Sequence, residues 1–308
     1  MKKLTCFLLS LLFLCIAADA FAAKETVIYD RIQTPSCLRK YTFDENDKIL
    51  DIWFPNVSNA DAAIVLYDGQ VWLIDCADEQ GGERTAQLLE KLGITKVDRL
   101  YNSHPHHDHL LGMYSVHKTA KIDTLYICFP TNATDTMVEI MTVAHNAHIA
   151  VEHFADGDTF EMGDGKVTFT FWRNVVADLD MNNSSAITLI RYGERRILFT
   201  ADISREGEDL LASRLGGENL HAEILRYPHH GKNGLTDDFY AAVSPSVAVI
   251  PNQRVDWGGV SFLKHRKIHY YFANNGSKYV HLYSDGKIWV VEYVPFDKVT
   301  PWQQTDQD

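Results

Sequence analysis

Four potential metal ligands fall within six residues: His104, His106, Asp108 and His109, in the spacing His-x-His-x-Asp-His. A divalent metal needs several nitrogen and oxygen donors aimed at one point, and a cluster this tight supplies them from one short loop. Its flanks say where the loop lies. The apolar stretch 97–100 leads in as a strand, and Leu110-Leu111-Gly112-Met113 opens a helix. Loops at the carboxyl ends of strands are where α/β proteins carry their chemistry. Three more apolar runs end in residues of the same chemical kind: Leu73-Ile74-Asp75, Phe199-Thr200-Ala201-Asp202 and Tyr227-Pro228-His229-His230-Gly231.

The His104-x-His106-x-Asp108-His109 pattern resembles the signature of the metallo-β-lactamase fold superfamily, and the resemblance extends from about residue 51 to residue 293. It implies an α/β fold, a four-layer αββα sandwich. It implies that Asp75 braces the ligand loop and that Asp202 bridges two metals, since a carboxylate offers two oxygens to two cations. The implied set is His104, His106 and His229 on one metal, and Asp108, His109 and Asp202 on the other. Asp108 and His230 are the catalytic candidates. The cofactor is then one or two divalent ions, zinc first, with manganese or iron also suited to such donors.

The second half narrows the resemblance. Asn182-Asn183-x-Ser185, Leu198-Phe199-Thr200-Ala201-Asp202 and Pro228-His229-His230-Gly231 are similar to the metallo-β-lactamase-like domain of competence DNA-uptake proteins. That branch implies phosphodiesterase or nuclease activity. The chain also departs from the pattern. Many members have a histidine just before residue 186, where this chain has only Asn and Ser. Lys232 stands where the competence relatives have Ser, either as a point charge for an anionic substrate oxygen or as an exposed surface residue.

The expected function is a secreted metal-dependent hydrolase of a phosphodiester or related ester, acting through a metal-activated water on a small-molecule or phosphodiester substrate. The alternatives are a β-lactamase or lactone hydrolase, or a catalytically weak metal-binding protein of the same fold. The order of the adjacent pair His229 and His230 stays open. Successive side chains leaving a strand face opposite ways, so one of the two points inward. His229 is taken as the ligand because it comes directly off the strand end, and His230 as a proton donor beside it.

Several elements must position these residues. Tyr67-Asp68-Gly69 between the apolar runs 62–66 and 70–74 is a hairpin signal. Residues 82–92 read as an amphipathic helix closed by Gly93, and 134–149 as a second helix. The latter carries His145 and His148, which with His153 read as pocket-edge or core residues rather than ligands. Helices are also expected at 204–215, capped by Ser204 and stopped by Gly216-Gly217, and at 264–273.

The chain has 308 residues, 46% of them hydrophobic, enough for one sizeable core. Residues 1–22 read as a secretory signal peptide: Lys2-Lys3, an apolar run, then Ala20-Phe21-Ala22. The mature domain is expected at 23–295, secreted or periplasmic, with no further membrane span and a loose polar tail at 296–308. The net charge of −12 disfavours nucleic-acid or anionic-membrane binding over the whole surface. Beyond the leader, Cys37, Cys76 and Cys128 allow at most one disulfide. The oligomeric state is not legible.

Overall fold

The computed structural model describes residues 27–29 and 41–302. The leader segment 1–22, Cys37 and residues 303–308 lie outside them. In chain order the elements are β1 (Val27–Tyr29), β2 (Leu50–Phe54), β3 (Ala62–Tyr67), β4 (Gln70–Cys76), α1 (Glu79–Lys91), β5 (Lys96–Tyr101), α2 (His107–Leu110), α3 (Met113–Thr119), β6 (Lys121–Ile127), α4 (Asp135–Ala147), β7 (Ala150–His153), β8 (Thr159–Met162), β9 (Val167–Trp172), β10 (Ile187–Tyr192), β11 (Arg195–Phe199), α5 (Arg205–Leu220), β12 (Ile224–Arg226), α6 (Asp237–Val243), β13 (Val247–Ile250), α7 (Gly258–His265), β14 (His269–Phe272), β15 (Lys278–Ser284) and β16 (Trp289–Pro295).

Among the described residues the strands form two sheets. One runs β1-β16-β15-β2-β3-β4-β5-β6-β7, the other β14-β13-β12-β11-β10-β9-β8. Alternation along each strand sends one set of side chains inward between the sheets. Ile52, Val65, Trp72 and Tyr101 from the first sheet meet Phe169, Ile190, Ile197 and Val249 from the second in one buried core. The outer faces are covered by helices. Leu88 and Leu89 of α1, Met113 and Val116 of α3 and Ile140 of α4 pack on the first sheet. Leu211 of α5, Phe239 of α6 and Leu263 of α7 pack on the second. The result is the four-layer αββα sandwich. No helix among the described residues is long and apolar enough to cross a membrane.

Parallel pairings β4–β5–β6 and β11–β12–β13 point their carboxyl ends to the same side. The ends of those strands and the loops leaving them hold every strand-end acid and histidine noted in the sequence. Helix α1 begins at Glu79, earlier than the periodicity suggests, because Asp78 caps it by accepting the Gly81 N–H at 2.6 Å. Its second turn touches the ligand loop: a Cβ on Gly82 would meet the Gly112 backbone at 2.3 Å, so only glycines allow this approach.

Three expectations need correction. The stretch 264–273 is not a helix. Helix α7 ends at His265, and the aromatic run His269–Phe272 pairs in parallel with β13. Helix α5 breaks at Gly216, as the glycine pair suggests: Gly216 takes φ +61°, and a separate helical stretch runs on from there to Leu220. Ser204 does not cap α5 with its own side chain but donates its hydroxyl to Asn183. The tail after Pro295 is not loose as far as it is described. Phe296 lies 4.3 Å from Tyr279, Trp302 packs beside it on the same cluster, and the Trp302 N–H donates to the Leu92 carbonyl at 2.9 Å. Cys76 is buried and Cys128 half-buried, both as free thiols.

Glu208 on α5 carries a pH signature unrelated to the strand-end loops. Its buried carboxylate accepts the Thr236 N–H at 2.6 Å, and burial pushes its pKa up to about 7. A raised carboxyl favours the fold when protonated, so its contribution is whole below the ordinary pKa of 4.5 and is lost as pH rises through about 7. Urea unfolding at pH 5.5 and 8.5 should show the wild type losing about 2 kcal/mol more than Glu208→Gln over that interval. Parallel losses in the two proteins would exclude this role.

Candidate metal centre

The ligand loop is held from below by one carboxylate. Asp75, at the end of β4, accepts the Ser103 N–H at 2.8 Å and the Asn102 amide at 3.1 Å on one oxygen. On the other it accepts the Ser103 hydroxyl at 2.7 Å and faces His109 Nδ1 at 2.7 Å. The loop is thereby fixed before any ligand enters. Its opening residues then present donors in turn: His104 Nε2 lies 3.1 Å from His106 Nδ1, and the His104 and His109 ring centres are 4.1 Å apart.

Asp202 leaves the end of β11 and sits in the middle of the site. Its Oδ1 is 3.2 Å from His109 Nε2, and its Oδ2 is 3.3 Å from His230 Nε2 and 3.8 Å from His229 Nε2. His230 Nε2 is also 3.3 Å from Asp108 Oδ2. Asp108, His109, Asp202, His229 and His230 therefore lie side by side, with His104 against His109 and His106 against His104. His145, His148 and His153 do not join them and are exposed.

The adjacent histidines do not divide as strand alternation suggests. Strand β12 ends at Arg226, and Pro228–Gly231 form a single tight turn in which His229 and His230 both take left-handed φ, +47° and +54°. Pleat alternation therefore does not apply to the pair. The turn buries His230 fully, inside a group with Asp61, His109 and Asp202 whose ligand atoms lie within 4.8 Å of one another. His229 stays at the rim, its side chain 19% exposed. Asp75, Ala77 and Ala201 share the left-handed conformation, so strained backbone gathers around this centre.

Sequence reasoning missed two residues. Asp61, just before β3, is brought in because its N–H donates to the Asp108 carbonyl at 3.0 Å and its carbonyl accepts the Ala77 N–H at 2.6 Å. Arg226, at the end of β12, is buried and forms an ion pair with Asp61 while donating to the Ala201 carbonyl. An Asp in a polar turn and an Arg inside an apolar run carry no signal until the fold joins them. The Asn182-Asn183-x-Ser185 stretch proves to be architectural. Asn183 Oδ1 accepts from Ser204 N, Ser204 Oγ and Gly207 N, capping α5, and Ala186 N–H donates to the Ser103 carbonyl, tying this loop to the ligand loop.

The donors fit a divalent cation. His109 Nε2, both ring nitrogens of His230 and Asp202 Oδ1 are buried without a hydrogen-bond partner among the described residues. Such groups are costly unless something satisfies them. The electrostatics agree. Burial opposes the charge on Asp202, but His230 and His109 outweigh it and hold that carboxyl well below its usual range. Burial likewise opposes charge on His109, but Asp202 and Asp75 raise it well above the usual imidazole value. The carboxylates thus call for a cation. His104 is driven down by burial and by His109, leaving a neutral nitrogen donor.

No family model matches the chain. ComE operon protein 3 of Bacillus subtilis is 26% identical over 165 residues, 53% of this chain and 21% of that protein. Competence protein ComA of Neisseria gonorrhoeae is 30% identical over 163 residues, 52% of this chain and 21% of that protein. The chain thus spans about a fifth of the length of the curated relatives it matches. Among solved structures, the metallo-β-lactamase fold protein YhfI of Bacillus subtilis aligns with a TM-score of 0.47 at 12% identity, covering 74% of this chain and 98% of that one. The two helix-covered sheets form an αββα sandwich of the metallo-β-lactamase type, and about half of the chain is similar in sequence to the two competence proteins.

Proposed function

We propose that the protein is a secreted metal-dependent hydrolase acting on a phosphodiester or related ester. The observation that carries the reading is the convergence of unsatisfied, buried histidine and aspartate donors on one point. Asp108, His109, Asp202 and His230 would hold one divalent ion, with His104 and His106 as donors for a second. When bound, such an ion supplies Lewis acidity that activates water and stabilises developing charge.

The chain's own residues do the rest. Asp75 keeps the ligand loop in register. Asp202 places an oxygen toward each flank of the centre. His229, half out of the site and held neutral by burial, is the histidine a substrate can reach, and it is placed to exchange a proton with a leaving group. Lys232 stands close enough to oppose a positive charge on His229, a placement that suits an anionic substrate. The partial match to competence proteins agrees with the competence-like motifs at residues 182–185, 198–202 and 228–231, on which the phosphodiester class rests. Zinc- or manganese-loaded protein assayed on bis-p-nitrophenyl phosphate, a chromogenic cephalosporin and a homoserine lactone provides the test. Turnover of the phosphodiester, at least tenfold above the other two, is expected. Preference for the cephalosporin or lactone sinks the assignment.

A further inference from the structure

Two histidines in the centre share a pattern. His109 turns Nε2 toward Asp202 at 3.2 Å and Nδ1 toward Asp75 at 2.7 Å. His230 turns Nε2 toward Asp108 and Asp202, both at 3.3 Å, and Nδ1 toward Asp61 at 3.7 Å. Each ring thus has one nitrogen facing Asp202 and the other facing a second buried carboxylate, Asp75 for His109 and Asp61 for His230, with Asp61 also 3.7 Å from His109 Nε2. A histidine that ligates metal through one nitrogen donates the other N–H to such a group, which fixes the tautomer and the ring plane. His230 Nδ1 is buried without a hydrogen-bond partner among the described residues; the atom it faces, Asp61 Oδ2, is the oxygen that Arg226 pairs with and the one near His109 Nε2.

We propose that Asp61 is the positioning residue for His230, as Asp75 is for His109, and that Arg226 anchors Asp61 in that role. This rests on the metal-centre reading given above. The backbone of Asp61 is already tied to both sides of the site, through the Asp108 carbonyl and the Ala77 N–H, so its side chain moves with the ligand loop. Arg226 is buried and grips the Asp61 carboxylate from the end of β12, while its other nitrogen holds the Ala201 carbonyl beside Asp202. The pair adds an acceptor to the site without adding net negative charge. It also distinguishes the adjacent histidines: His229 Nδ1 is buried with no partner among the described residues, and Asp61 stands on the side of His230.

The test is zinc affinity, by competition with a chromogenic chelator on the purified full chain. Asp61→Asn alone leaves a buried guanidinium unpaired and endangers the fold. Asp61→Asn/Arg226→Gln removes both charges and is the main variant. Its zinc Kd should weaken about 10- to 100-fold, with cooperative unfolding of the metal-free protein retained. The same substitutions should change Kd by less than about twofold in a His230→Ala background but keep their full effect in a His229→Ala background. The wild type gives a separate readout. Zinc-loaded protein should show a solvent-protected Nδ1–H resonance of His230 by proton–nitrogen NMR, identified by its loss in His230→Ala. Wild-type affinity in the folded double variant, equal losses in both backgrounds, or no protected Nδ1–H overturns the assignment. A wild type that takes up neither zinc nor manganese overturns the proposed function, and this inference with it.

Discussion

His230→Ala should weaken zinc affinity by at least about 100-fold and lower kcat/KM on the order of 10³-fold, or roughly 4 kcal/mol of transition-state stabilisation. His229→Ala should leave the metal content within about twofold and lower turnover about 10²-fold, the usual size of a lost proton-transfer group. The asymmetry follows from the turn. His230 is fully buried, with Nε2 3.3 Å from two carboxylates, whereas His229 reaches Asp202 only at 3.8 Å and keeps part of its ring in solvent. Metal analysis of both purified variants, beside their kinetics, checks this. Loss of metal in His229→Ala with retention in His230→Ala would restore the order that strand alternation suggests.

Asp75→Ala should lower Tm by about 10 °C and zinc affinity by a further 10- to 100-fold. The carboxylate takes Ser103 N, Ser103 Oγ and Asn102 Nδ2 and faces His109 Nδ1, in a place closed to water. Removing it orphans these donors together, at about 1–3 kcal/mol each before relaxation. A net loss of about 4 kcal/mol corresponds to the Tm change expected for a domain of this size. Asp75→Asn should be little better, because its amide turns a donor toward one pair of the same donors. Scanning calorimetry of metal-free protein separates the stability term from the metal term. A Tm within about 2 °C of wild type in Asp75→Ala excludes the bracing role.

Much of this site is written in the order of residues alone. Four donors in six positions after an apolar run, and acids ending two other runs, need only local rules to be seen: strands end where the pattern stops, and loops there face one side. The hairpin at Asp68-Gly69 and the helices α1 and α4 follow from period and turn chemistry. The tail is different. Phe296, Val299 and Trp302 find cover against Tyr279 and Leu92, contacts over distances in sequence that no local pattern encodes.

What only the tertiary structure decided is which donors share a centre and how each is turned. The choice between His229 and His230 depends on a left-handed turn held from outside, by the His229 N–H on the Ala201 carbonyl and by Asn252 on the His230 carbonyl. Asp61 and Arg226 lie 165 positions apart and become a buried pair only because β3 starts and β12 ends, in different sheets, at the same side of the sandwich. Their residue types are ordinary. Desolvation makes them informative: a charge taken out of water must find its partner, and only the folded chain says which one it finds.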